Sequence, residues 1–169
     1  LAFVASTWAS SEMKKLRYDL HLMGKERSRT IWVAEFSAPE LRQENGFNQL
    51  EIADRCLEEI DHSEYFIMLL DGGIGSHVSV LNRESASTFI ELELFHAVMR
   101  EKAIHLIVIG NLSDGALDRR LLDLVSFGVR CDVTEVQSHG AALDTISRIL
   151  ARPRRLAVLR PRGTKQFLS

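Results

Sequence analysis

Five short apolar runs, each followed by a stretch with helical spacing, constrain this chain more than any other feature of its sequence. The clearest run is Tyr65–Leu70, YFIMLL, which is apolar at every position rather than at alternate ones. Such a strand is buried on both faces. Residues 1–6 (LAFVAS), 30–34 (TIWVA), 104–109 (IHLIVI) and 129–133 (VRCDV) are expected as its companions. Helices are expected at 10–23, 50–60, 88–102, 116–126 and 141–151. In the second of these, Leu50, Ala53, Leu57 and Ile60 fall on one face at i, i+3, i+7 and i+10. In the first, Glu12 lies in the opening turn, where the helix dipole favours an acid. Segment 35–48 reads as a polar loop, and a glycine-rich loop leads from the third strand to the helix at 88. Strands buried on both faces and joined by helical crossovers make a parallel sheet covered on both sides, the doubly wound α/β class. A chain of 169 residues suits five such strands in the flavodoxin-like order 2-1-3-4-5, with helices on both faces. No internal repeat and no low-complexity segment breaks the pattern.

Composition narrows the function classes. Hydrophobic residues make up 46 % and charged residues 26 %, the balance of a globular domain and not of a disordered or collagen-like chain. The apolar runs are far shorter than the ~20 residues of a spanning helix, so no membrane partner is expected. A net charge of −2 supplies no general attraction to nucleic acid or acidic lipid. Cys56 and Cys131, far apart in apolar contexts, read as two buried thiols in a reducing compartment, which implies a cytoplasmic location. The chain opens at Leu1 and enters an apolar run at once, leaving no room for a signal peptide. It reads as a trimmed piece of a longer protein.

The far end differs in kind. Of the 21 basic residues, Arg152, Arg154, Arg155, Arg160, Arg162 and Lys165 lie in 152–169, with no acid among them; residues 1–151 then hold 15 basic against 23 acidic residues, a charge of −8. The expected division is an α/β domain over 1–151 and a basic linker, or the start of a following domain, over 152–169. A nucleic-acid-binding arm is the alternative reading of that tail, and docking onto the acidic body a third.

In doubly wound folds ligands sit beyond the carboxyl ends of the strands, near the switch point between the first and third. Ser6, Thr7, Trp8, Glu35, Asp71, Gly72, Gly73, Gly75 and the helix start at Thr88 fall there. The run Gly72-Gly73-Ile74-Gly75 lacks the third glycine of a dinucleotide fingerprint and enters no helix for about a dozen residues. It reads as a turn with positive φ angles or as a close backbone approach to a ligand. The six histidines show no paired-ligand spacing, so no metal is expected. His105, inside an apolar strand, reads as a satisfied core histidine. No nucleophile elbow of the Gly-x-Ser-x-Gly type exists, which argues against a covalent hydrolase of that kind.

The segment Ser87-Thr88-Phe89-Ile90-Glu91-Leu92-Glu93-Leu94-Phe95-His96-Ala97 carries a resemblance. It is similar to the helix start of the TIR superfamily and its relatives, the nucleoside 2-deoxyribosyltransferases. Enzymatically active members have a pattern close to S-x-W-C-x-x-E-L-x-x-A there. This chain has Ser87, Phe89 for the Trp, Ile90 for the Cys, then Glu93, Leu94 and Ala97. Closer still is a TIR-like domain of unknown function at the N-termini of bacterial STAND-type NTPases. Its landmarks resemble Phe3-Val4-Ala5-Ser6-Thr7-Trp8, the stretch CLEEIDHSEYF from Cys56 to Phe66, Ile74-Gly75-Ser76, and Glu91-Leu92-Glu93 before Ala97. The resemblance covers roughly residues 1–135.

The resemblance implies N-glycosidic chemistry on NAD⁺ as substrate, releasing nicotinamide, with no resident cofactor. Glu93 is the matched catalytic residue and Glu91 the second candidate. Cleavage builds oxocarbenium character on the ribose, which a fixed carboxylate stabilises in a dry cleft. Ser6, Thr7, Trp8, Asp71, Gly73, Gly75 and Ser87 are the expected substrate-binding positions. A helical wheel leaves the two acids open: Glu93 shares a face with His96 and Arg100, as a solvated, salt-bridged face also would, and Glu91 falls in the apolar arc. The resemblance further implies self-association, a following domain in a longer chain, and a part in bacterial signalling or defence. A non-catalytic interaction module and a nucleotide-sensing domain are the alternatives.

Overall fold

The computed structural model describes residues 1–6, 10–27, 30–37, 49–72, 77–80, 83–110 and 131–151. The helix expected at 116–126, most of the loop expected over 35–48 and the basic tail lie outside them. The elements are β1 (Ala2–Ser6), α1 (Ser11–Glu26), β2 (Ile31–Trp32), α2 (Ala34–Ser37), α3 (Gln49–His62), β3 (Tyr65–Leu70), β4 (His77–Val80), β5 (Arg83–Thr88), α4 (Phe89–Met99), β6 (Ala103–Ile109), β7 (Cys131–Val136) and α5 (His139–Ala151).

Five strands form one parallel sheet in the order β2-β1-β3-β6-β7, the 2-1-3-4-5 arrangement expected from the alternation of apolar runs. Strand β3 lies at its centre, and Phe66–Leu70 are all buried. Successive side chains of a strand point to opposite faces, which produces two separate core layers. Phe3, Ala5, Phe66, Met68, Leu70, Leu106 and Val108 join Cys56, Ile60, Ile90, Leu94 and Ala97 of α3 and α4 on one face. Ala2, Val4, Ile67, Leu69 and Ile107 join Met13, Leu16 and Leu20 of α1 and Ala142, Ile146 and Ile149 of α5 on the other. On the first face the register partners Trp32, Phe3 and Phe66 stack across three strands, with ring centroids 5.0 Å and 5.8 Å apart.

The structure departs from the expectation in several places: α1 runs on to Glu26 rather than 23, the last strand reaches Val136 rather than 133, and the segment read as loop from 35 opens with the short helix α2. The strand expected over 30–34 pairs over Ile31–Trp32 alone. The chain then turns at Val33, whose carbonyl accepts from the amides of Phe36 and Ser37 and whose amide donates to Ser37 Oγ. The stretch read as loop before Thr88 holds an antiparallel hairpin, β4 with β5. Its second strand, RESAST, has no large apolar residue, so hydrophobic periodicity carries no sign of it. Helix α4 ends at Met99 rather than 102, closed by Glu101 in the left-handed region (φ 52°) and by the Lys102 amide bonding the Ala97 carbonyl. Cys131, expected buried, is half-buried because β7 is an edge strand with exposed residues at Asp132, Val133 and Glu135. No helix among the described residues is long and apolar enough to cross a membrane.

Candidate active site

Helix α4 leaves the hairpin at the carboxyl edge of the sheet and runs back toward the start of β6, so its first two turns stand over that edge. Its start is fixed by a reciprocal cap. Thr88 Oγ1 accepts from the Glu91 amide at 3.3 Å, and Glu91 Oε2 accepts from the Thr88 amide at 2.8 Å and from Thr88 Oγ1 at 3.2 Å. Two otherwise orphaned N–H donors are satisfied in this way. Glu91 is therefore the acid of a capping box, which accounts for its place in the apolar arc of the wheel. Replacing it with Ala is expected to cost about 1 kcal/mol, read as a melting temperature lower by roughly 2–4 °C, with Glu91→Gln recovering most of the loss.

Glu93 has a different environment. It is 8 % exposed, in a helix whose inward residues Ile90, Leu94 and Ala97 belong to the α3–α4 core layer. Burial pushes its carboxyl up to about 7, against a hydrogen bond from the Cys56 thiol that pulls it down. Cys56 lies midway along α3, fully buried, and its own pKa is driven far up by burial and by the neighbouring Glu93 charge. The solvated face in which Glu93, His96 and Arg100 act together does not form. His96 Nε2 and Arg100 Nε turn instead to Asp61 of α3, each at 2.8 Å from Oδ1. Lys102 Nζ closes the same corner by donating to the carbonyls of Asp61 and Ser63 at 2.7 Å and 2.9 Å. Those contacts pin the C-terminal half of α4 to α3 and leave Glu93 as the buried acid of α4 that is not committed to the helix cap.

The remaining expected positions divide. Ser6 ends β1 with its side chain under α1, where Oγ accepts from the buried Arg17 guanidinium at 3.3 Å. That is the sheet face opposite Glu93, and only the Ser6 backbone is common to both sides. Asp71 follows β3 and is half-buried; its Oδ2 accepts at 3.2 Å from Ser10 Oγ, the N-cap of α1, which itself accepts from the Met13 amide. Gly72 has φ 81°, the left-handed turn geometry expected of the glycine run, with open space around its α-carbon. Ser87 precedes the α4 cap in β5. Thr7, Trp8, Gly73 and Gly75 lie outside the described residues. Strand position alone thus brings Ser6, Asp71, Ser87 and the α4 start to one edge of the sheet.

Arg17 and Cys56 were not legible as site neighbours in the sequence. Each meets its partner across two elements, and no local spacing marks the pair. His105, read as a core histidine, lies outside both core layers: it is half-buried in β6, with Nδ1 3.5 Å from the exposed Asp132 Oδ2 and its ring 6.0 Å from that of Tyr65. Among the described residues no group of three or more His, Cys, Asp or Glu is placed to hold a metal ion. A cavity of about 240 Å³ lined by Met23, Arg27, Ile31, Leu150 and Ala151 lies at the amino edge of the sheet, the opposite end from Glu93.

No protein-family model and no curated protein matches the sequence. Solved structures do match the fold. The structure of CMP N-glycosidase BcmB from Clostridium botulinum is similar, with a TM-score of 0.51 and 16 % sequence identity, over 86 % of this chain and 97 % of that one. At that identity the likeness is one of fold.

Proposed function

We propose that this chain, which shares its fold with a nucleotide N-glycosidase, cleaves an N-glycosidic bond between a ribose and its base, with Glu93 as the reacting acid. The observation that carries the proposal is Glu93 itself: a carboxyl buried near the carboxyl edge of a doubly wound sheet and raised to about 7. Ionised carboxylates are costly to bury, and one raised this far is typical of groups that do chemistry.

In the proposed reaction the C1′–N bond breaks and its electron pair leaves with the base. Positive charge develops on C1′ and the ring oxygen, and the Glu93 carboxylate stabilises it at close range in a low-dielectric site. A water oxygen then bonds to C1′, and its proton passes to the departed base, or to solvent where the base leaves neutral as nicotinamide does. Asp71, an acceptor at the same edge, suits a ribose hydroxyl. The substrate class is a nucleoside or nucleotide. NAD⁺ is the member implied by the TIR-like resemblance of Ser87, Glu93, Leu94 and Ala97, and self-association in a larger signalling protein belongs to the same reading.

The test is to incubate the protein, alone and artificially clustered, with NAD⁺, CMP and a panel of ribonucleosides and deoxyribonucleosides, and to measure free base by chromatography. Base release that is lost in Glu93→Gln supports the proposal. Silence on every substrate, clustered included, overturns it in favour of a non-catalytic module.

A further inference from the structure

Cys56 and Glu93 meet through a hydrogen bond in the seam between α3 and α4, beside the apolar side chains of Ile60, Ile90, Leu94 and Ala97. We infer that Cys56 is the positioning residue for Glu93, its thiol donating across the seam to hold the carboxylate in one orientation. The inference rests on the reading of Glu93 as the reacting acid and adds the group that sets its readiness.

Three observations support it. Cys56 is 2 % exposed and sits on a helix independently tied to α4 through Asp61, His96 and Arg100, so the two backbones are held in fixed relation. Burial and the Glu93 charge keep the sulfur in its S–H form, which makes it a donor and removes it as a nucleophile. A thiol is a weak donor. It orients a carboxylate while taking away little of the basicity that burial confers, where a hydroxyl would take away more and a methyl none.

Among the described residues, the charged groups that flank the seam on α3 and α4 have partners. On α3, Glu59 is paired with Arg55 at 2.6 Å, and Asp61 holds His96 and Arg100. On α4, Glu91 is bound to Thr88. The described side chains of β1 and β3 facing this layer are Phe3, Ala5, Phe66, Met68 and Leu70, none of which titrates. The donor at position 56 is thus the adjustable element among the described neighbours of Glu93.

The experiment is a carbon-13 NMR titration of the Glu93 side-chain carboxyl in the wild type, Cys56→Ser and Cys56→Ala, with Glu93→Gln assigning the signal. The pH dependence of base release is measured on the same three proteins. The Ser variant is expected to titrate lower than wild type and the Ala variant higher, each by roughly 0.5–1 pH unit, the equivalent of one neutral hydrogen bond gained or lost. The acid limb of the rate profile should move in the same order. Cys56→Ala should lose kcat with little change in KM, and Cys56→Ser, which keeps a donor, should retain more of kcat than Cys56→Ala. Coincident titrations in all three proteins overturn the inference, whatever the activity. The order Ser, Cys, Ala without base release from any substrate supports the inference and overturns only the glycosidase reading.

Discussion

Glu93→Gln is expected to melt well above the wild type at pH 8 while losing base release by at least ~10²-fold, the smaller end of what one stabilising group supplies. The stability half follows from linkage. Glu93 titrates near 7 in the folded chain against an ordinary 4.5, so between those values the folded state holds a proton that the unfolded state has released. Stability therefore falls as pH rises through that window and is level above it. A raised pKa of this size corresponds to about 3 kcal/mol lost between pH 4.5 and pH 8. The neutral amide of the Gln variant has no such loss. Its melting temperature should exceed the wild-type value by roughly 6–12 °C at pH 8 and by almost nothing at pH 4.5. Thermal melts of both proteins at the two pH values check this, and a gap independent of pH would show that Glu93 carries no buried charge. Stability gained together with activity lost marks a residue kept for chemistry rather than for folding.

Phe3→Ala is expected to be the most damaging of the simple core substitutions. Phe3 is 1 % exposed and stands between Trp32 and Phe66, so truncation removes both ring contacts as well as the buried area. The usual cost of Phe→Ala in a core is about 3–5 kcal/mol, and each aromatic pair contributes roughly 0.5–1.5 kcal/mol beyond area. Against a typical total of about 5–15 kcal/mol, that consumes a large share of the domain's stability. Phe3→Leu keeps most of the volume and should cost under about 1.5 kcal/mol plus the lost stacking. Urea denaturation separates the two, since both should lower the midpoint with an unchanged slope. Equal midpoints for Phe3→Ala and wild type would mean that the stack does not hold β2 to the sheet.

Strand order was readable because the central strand announces itself. YFIMLL at Tyr65–Leu70 has no polar position and can only lie inside a sheet covered on both faces. Helix α1 was equally legible from Ser10 and Glu12 at its start. The β4–β5 hairpin was not, because RESAST owes its pairing to a backbone ladder and carries no apolar rhythm. The candidate site was half legible. Spacing located two acids two residues apart, but which of them was spoken for depended on Thr88 lying three residues before Glu91, a capping box that the sequence contains. The burial of Glu93 depended on α3 packing alongside α4, and a local pattern holds no information about a neighbour 37 residues away such as Cys56.

The two core layers share no side chain, since odd and even positions of each central strand go to different faces. Substitutions on opposite sides should then combine with little interaction between them, as expected for distant sites without common partners. The half built on α1 and α5, below the Ser10–Asp71 contact at the carboxyl edge, can serve as a foundation, stiffened by design to offset whatever is sacrificed around position 93. Chemistry and robustness in this molecule are therefore separately adjustable, with the sheet acting as the partition wall.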